Sequence, residues 1–325
     1  MKVSALLAAT VLAACLALCG CASSTGSGQA AAMGGEYKRL IEQQKQRTAA
    51  LAAPEEASKK QPEPDAEGYE RLGDAYSRQG NVLMAVVEYR KALRLDARRA
   101  AVRCKVGRLL LRQGMTAEAT REFEEALKDA PASGAAHFGL GLALLAGGRQ
   151  DKAERSLHRA AELDPSLWQA HVCLGFIYDR RKLFSTAIAE YDKALAANPA
   201  SAAVLNNRGV SCYLSGDCEQ SARSFIAALR IDPANTRLYN NLGLAYACLG
   251  RFDDALEAFR KGGSAASAQN NMGFIYMAQG RYGEAARAFQ EAMDASPTFY
   301  VKARENSDRL AAFAKSAGSQ AQEWP

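Results

Sequence analysis

The sequence predicts an all-α chain, a solenoid of about seven helix-turn-helix units closed by a C-terminal helix. Three observations carry this expectation. Gly73, Gly107, Gly141, Gly175, Gly209, Gly243 and Gly273 recur at steps of 34 residues, with a last step of 30. Twelve residues after each glycine stands a small residue (Ala85, Ala119, Ala153, Ala187, Ser221, Ala255, Ala285), and four further on a large one (Tyr89, Phe123, Leu157, Tyr191, Phe225, Phe259, Phe289). Most units close on a proline, at Pro131, Pro165, Pro199, Pro233 and Pro297. Proline has no N–H to give a helix and restricts the residue before it, so the second helix of each unit stops there. Ala97 replaces it in the first unit, and the sixth unit is cut short.

The elements follow in chain order. Residues 1–20 read as a signal peptide: Lys2, then an uncharged apolar run from Val3 to Leu18, then small residues. That run is short for a permanent membrane span, which needs ~20 apolar residues. Leu18-Cys19-Gly20-Cys21 resembles the bacterial lipobox, which places a lipid on Cys21. Leu12-Ala13-Ala14-Cys15 fits the pattern too, with Cys15 as the alternative acceptor, but it would leave an apolar stretch at the new N-terminus and a very short apolar run before it. In lipoproteins of this kind Asp after the cysteine favours retention at the inner membrane. Ala22 stands there, and the resemblance implies a bacterial envelope location at the outer membrane, facing the periplasm.

Residues 21–65 read as a tether. Ala22 to Gly35 is almost entirely Ser, Gly, Thr and Ala, a flexible composition. Glu36 to Ala53 has a thin apolar stripe that suits a short helix, and Pro54, Pro62 and Pro64 break the chain after it. Six basic and six acidic residues between 36 and 65 cancel, so the tether is a spacer rather than a charged tail.

Seven units are expected at 66–99, 100–133, 134–167, 168–201, 202–235, 236–265 and 266–299. Their glycine, alanine, aromatic and proline positions resemble the tetratricopeptide repeat, W-x₂-L-G-x₂-Y…A-x₃-F…P. The resemblance implies a right-handed superhelix. The glycine and the small residue allow the two helices of a unit to approach, and the aromatic is expected to fill the groove between units. Residues 300–325 are expected to form a capping helix, with Tyr300, Ala303, Leu310 and Phe313 on one face, and a loose tail. Gly262-Gly263-Ser264-Ala265, Asn270-Asn271-Met272-Gly273-Phe274-Ile275-Tyr276 and Pro297-Thr298-Phe299-Tyr300 are similar to the tetratricopeptide lipoproteins of tight-adherence (Flp) pilus assembly, the TadD type. The related pilotins of type IV pili bind a secretin subunit.

Composition speaks against catalysis. The net charge is +6 with 23% charged residues, partly dispersed, which is weak material for a nucleic-acid binder. His137, His158 and His171 are the three histidines, and no HExxH, GxSxG or P-loop pattern accompanies them. No cofactor, metal or small-molecule substrate is expected. After Cys21 come Cys104, Cys173, Cys212, Cys218 and Cys248, an odd number. Cys212 and Cys218, at the end of one helix and the start of the next, form a candidate disulfide.

In tetratricopeptide arrays the first helix of each unit lines a concave groove. Carried over by resemblance, the groove of this chain has a basic end at Lys105, Arg108 and Arg112, which share one helical face. Asp179 falls on the same wall. Its other end offers Phe176, Asn206, Asn207, Tyr213, Asn240, Asn241, Leu244, Asn270, Asn271 and Phe274. An amide side chain carries donors and an acceptor, so paired asparagines match a peptide backbone without reading its sequence. The chaperone-tail carboxylate clamp is not matched, because Glu70 and Asp74 stand where it needs lysine and asparagine. The expected function is a non-enzymatic scaffold, anchored in a membrane by lipid, that holds a protein or peptide segment, such as a secretin or another pilus or secretion component. An adaptor for peptidoglycan enzymes is the alternative, and an enzyme working through His137, His158 or His171 is the reading of a different class.

Overall fold

A computed structural model describes residues 63–296, 301 and 303–311. The signal peptide, Cys15 and Cys21, the tether up to residue 62 with its short helix, and Pro297, Tyr300 and Phe313 lie outside the described residues.

Among the described residues there are helices and turns and no strand. The helices are α1 (Ala66–Arg78), α2 (Val82–Leu95), α3 (Ala100–Arg112), α4 (Thr116–Asp129), α5 (Gly134–Ala146), α6 (Gln150–Leu163), α7 (Trp168–Arg180), α8 (Phe184–Ala197), α9 (Ala202–Ser215), α10 (Cys218–Ile231), α11 (Thr236–Cys248), α12 (Phe252–Gly262), α13 (Ala265–Ala278) and α14 (Tyr282–Ala295), followed by helical residues at 303–311. Odd-numbered helices are the first of each hairpin and even-numbered ones the second, and α1–α2, α3–α4, α5–α6, α9–α10, α11–α12 and α13–α14 pack as pairs. Side chains cap several starts: Asp65 accepts from the Gly68 amide at 2.7 Å and Asn81 from Met84 at 3.1 Å.

The turn inside each hairpin needs a left-handed residue, and glycine supplies it at Gly80, Gly114, Gly148, Gly216, Gly250 and Gly280. Lys182 holds the same place in the fourth unit with φ 60°.

The repeated glycine and aromatic meet within one unit. A Cβ on Gly107 would stand 2.9 Å from Phe123 Cζ, one on Gly209 2.7 Å from Phe225, and one on Gly243 2.6 Å from Phe259. The aromatic was expected between units. It lies first on its own unit's glycine, and Phe123 also reaches Gly139 of the following unit, so one ring closes both contacts.

The chain divides into two compact units, and the boundary falls between Ile177 and Tyr178, inside α7. The core of the N-terminal unit includes Val86, Tyr89, Val102, Val106, Leu109, Leu110 and Phe123. In the C-terminal unit the buried side chains form successive clusters, around Phe225 and Leu238, around Phe259 and Met272, and around Phe289. Leu310 of the last helical residues joins the Phe289 cluster, and Ala303 is fully buried.

Candidate protein-binding surfaces

In the N-terminal unit, α1 places Glu70 and Asp74 four residues apart on one face, and α3 places Lys105 against both. The Lys105 ammonium lies 2.8 Å from Glu70 Oε1 and 2.7 Å from Asp74 Oδ1. Arg99 donates to the other Glu70 oxygen at 2.6 Å, and the Tyr89 hydroxyl donates to Asp74 at 2.6 Å. Burial pushes both carboxyls up, but the hydrogen bonds and charges of Lys105, with Arg99 at Glu70 and Tyr89 at Asp74, outweigh it and hold them below their ordinary values. Lys105 is raised in turn: burial opposes its charge, and the bonds to Asp74 and Glu70 overcome it.

This corrects the expected basic patch. Lys105 is spent inside the protein, because the two α1 carboxylates face it. Arg108 and Arg112 remain exposed, and with Arg78 at the end of α1 they border a cleft of about 530 Å³ whose apolar lining includes Leu111 and Leu142. Phe176, expected in the groove, is only 3% exposed and serves packing.

In the C-terminal unit the asparagines behave differently from expectation. Asn241 donates its amide to Asn206 Oδ1 at 2.8 Å, linking α11 to α9. Asn240 donates to the Gly262 carbonyl at 3.2 Å, and Asn306 donates to Asn270 Oδ1 at 2.8 Å. Asn206 reaches Asn207 Oδ1 at 3.4 Å, and the buried Asn207 Nδ2 has no partner among the described residues. Each engaged amide satisfies a neighbour on the stack, so most of the ladder joins helices instead of standing open to a peptide. Asn271 is half-buried and has no such bond among the described residues. One turn on, Phe274 is 37% exposed, its ring edge-on to Phe289 with centroids 5.7 Å apart. Tyr213 and Leu244 are half-buried, and burial raises the Tyr213 hydroxyl.

Asp179 accepts hydrogen bonds from Ser211 at 2.7 Å and Tyr191 at 2.9 Å. Burial dominates and raises its carboxyl to about 6, while those two bonds pull it back down.

The cysteine pairing also departs from expectation. Cys218, the first residue of α10, bonds to Cys248, the last of α11, with Cα atoms 6.0 Å apart. Cys212 is a free, buried thiol that burial pushes up to about 11. Helix stacking, not proximity along the chain, selects the partner. Cys104 and Cys173 take no part in that disulfide. His137 lies 3.0 Å from the Pro131 carbonyl, and His158 3.9 Å from Glu154. Among the described residues no group of three His, Cys, Asp or Glu side chains is arranged to hold a metal ion, and no helix is long and apolar enough to cross a membrane.

Residues 66–99, 105–167, 178–217, 215–268 and 266–299 each match the tetratricopeptide repeat family. The chain is a tetratricopeptide repeat protein. Tetratricopeptide repeats are scaffolds for protein interaction. The chain is 35% identical over 82 residues to a heat-shock protein cognate co-chaperone, sgt12, of Aspergillus fumigatus, covering 25% of this chain and 24% of that one. It is 40% identical over 57 residues to the Hsp70-Hsp90 organising protein of Plasmodium falciparum, covering 18% and 23%. The chain thus spans about a quarter of the length of these relatives. Among solved structures it resembles a tetratricopeptide repeat protein from Parabacteroides merdae, at 20% identity and a TM-score of 0.52 over 76% of this chain and 98% of that one. It also resembles PilW, described as a type IV pilus biogenesis factor, at 18% identity and a TM-score of 0.54 over 59% and 90%. These likenesses are of fold.

Proposed function

We propose that this tetratricopeptide protein is a non-enzymatic scaffold, held to the outer membrane by lipid on Cys21, that binds a protein segment along the first helices of its C-terminal unit. The observation that carries it is Phe274, a large aromatic 37% exposed on α13 beside the unengaged amide of Asn271. An exposed apolar anchor next to a hydrogen-bonding amide suits a segment that contributes both a side chain and a backbone. The Cys218–Cys248 disulfide supports an exported location, since such bonds persist in oxidising compartments. The signal-peptide and lipobox residues support the anchor. The resemblance of residues 262–276 to tight-adherence lipoproteins supports a pilus or secretion component, such as a secretin subunit, as partner.

A photo-crosslinking amino acid at position 274, with one at the exposed Arg223 of α10 as control, tests the surface in intact cells. A secretin or pilus subunit captured from 274 and absent from 223 is the expected result. Equal adducts at the two positions remove the surface, and a cell-wall hydrolase at 274 replaces the pilus partner with the peptidoglycan adaptor. Labelling with an alkyne fatty acid tests the anchor: Cys21→Ser abolishes incorporation, whereas loss with Cys15→Ser alone moves the acceptor.

A further inference from the structure

We propose that the cleft between α1 and α3 in the N-terminal unit is a second docking site, built for an acidic segment of a partner protein that also carries an apolar side chain. Four charges beside it are already satisfied: Glu70 and Asp74 are matched by Arg99 and Lys105 at 2.6–2.8 Å. Three are not. Arg78, Arg108 and Arg112 line the cleft, are exposed, and among the described residues have neither a hydrogen bond nor an ion pair, the Arg78 charge acting on Asp74 only from a distance.

Arg78 and Arg112 end their helices, where a cation is favoured by the helix dipole, so their presence there has a local reason. Arg108 does not. It sits inside α3, four residues before Arg112 on the same face, and like charges at that spacing repel. A carboxylate between them relieves the repulsion, and guanidinium groups receive carboxylates through two parallel hydrogen bonds.

The floor decides the class of ligand. The half-buried Leu111 and the 9% exposed Leu142 line a cleft of about 530 Å³, a size that holds a side chain or two rather than a duplex. Tyr89, the aromatic of the lining, is 2% exposed and gives no platform on which bases could stack. A free inorganic anion would leave the leucines unused. Charge at the rim and apolar surface at the floor together fit glutamate or aspartate beside leucine-like residues. The site lies wholly within the N-terminal unit, so it stands or falls separately from the Phe274 surface.

The test is fluorescence anisotropy with the full chain and a fluorescein-labelled decapeptide of alternating Glu and Leu, against the Gln-Leu and Lys-Leu versions and a ten-nucleotide single-stranded RNA. Arg108→Gln keeps much of the side-chain stem while removing the charge, and Phe274→Ala is the control in the other unit. Melting curves of both variants confirm that they fold, and Arg112→Gln substitutes if Arg108→Gln does not. The Glu-Leu peptide is expected to bind at least ~10-fold tighter than Gln-Leu. The preference should fall to near unity in Arg108→Gln, weaken with added salt, and survive Phe274→Ala. Equal binding of Glu-Leu and Gln-Leu, an unchanged preference in the arginine variant, or RNA bound as tightly as the acidic peptide overturns the proposal.

Discussion

Tyr191 donates its phenolic hydrogen to Asp179 at 2.9 Å, across the hairpin turn that separates α7 from α8. Tyr89 does the same to Asp74 at 2.6 Å in the first unit. At this place in the repeat the other units carry Phe or Leu: Phe123, Leu157, Phe225, Phe259 and Phe289. A buried hydroxyl needs an acceptor, and the two tyrosines stand where an aspartate on the facing helix provides one. The aspartates nevertheless shift in opposite directions. Asp74 has Lys105 beside it and is lowered, while Asp179 receives bonds from neutral hydroxyls and is raised to about 6 by burial.

The raised Asp179 gives the C-terminal unit a pH dependence of definite sign. An unfolded aspartate titrates near 3.8 and the folded one near 6, so between these values the folded chain binds more protons than the unfolded one. Stability contributed by the protonated carboxyl is present below pH ~4 and is lost as pH rises to ~6, with no further change above. Asp179→Asn keeps an acceptor and removes the charge. Thermal melts from pH 4 to 7 should show wild type losing stability relative to Asp179→Asn across that window, on the order of 3 kcal/mol at most. Parallel pH profiles would refute this.

Ser221 occupies the small-residue position that is alanine in the other units. It is 0% exposed, and its hydroxyl has no partner among the described residues. Leaving a hydroxyl buried and unbonded costs about 1–3 kcal/mol. Ser221→Ala should therefore raise the denaturation midpoint by an amount equivalent to ~1 kcal/mol, with the urea m-value unchanged. A lower midpoint would mean that the hydroxyl is bonded in solution.

The hairpin turn of the fourth unit offers a second stabilising change. Lys182 adopts φ 60°, where the other described turns of this kind use glycine. A side chain in the left-handed region costs roughly 1–2 kcal/mol, partly returned by the lower entropy of the unfolded lysine chain. Lys182→Gly should raise stability by ~0.5–1 kcal/mol in chemical denaturation. Lys182→Val should lower it by more than that, because branching at Cβ worsens the same strain.

The repeat frame was legible because it rests on contacts that recur every 34 residues. Gly107 and Phe123, or Gly243 and Phe259, can be matched by counting, and their close packing allows few other residues. The site was less legible, since its partners come from neighbouring units at irregular offsets. Lys105 looked like part of a basic patch beside Arg108, but Glu70 and Asp74 on the preceding first helix neutralise it. Asn270 looked open, but Asn306 from the chain after the last repeat bonds to it. Asn306 is marked by no local motif, and Glu70 and Asp74, though they stand at clamp positions, carry no cue that pairs them with Lys105. The same holds for Cys248, which lies 30 residues from Cys218 and has no sequence cue to prefer it over Cys212.

That disulfide carries the last expectation. It ties the start of α10 to the end of α11, closing a loop with a sequence separation of 30 residues. In the chain-entropy account a loop of this length limits the unfolded ensemble by ~3–4 kcal/mol. Cys218→Ser with Cys248→Ser should lower the unfolding free energy of the C-terminal unit by about that amount, less whatever strain is released. Cys212→Ser tests the pairing directly: mass mapping of a thiol-blocked digest should still recover the Cys218–Cys248 peptide pair. A Cys212–Cys218 pair in the wild-type digest, or double-serine stability equal to wild type, would overturn this assignment. Because Cys212 is buried with its thiol pushed up to about 11, slow alkylation at neutral pH in the folded chain is the accompanying sign.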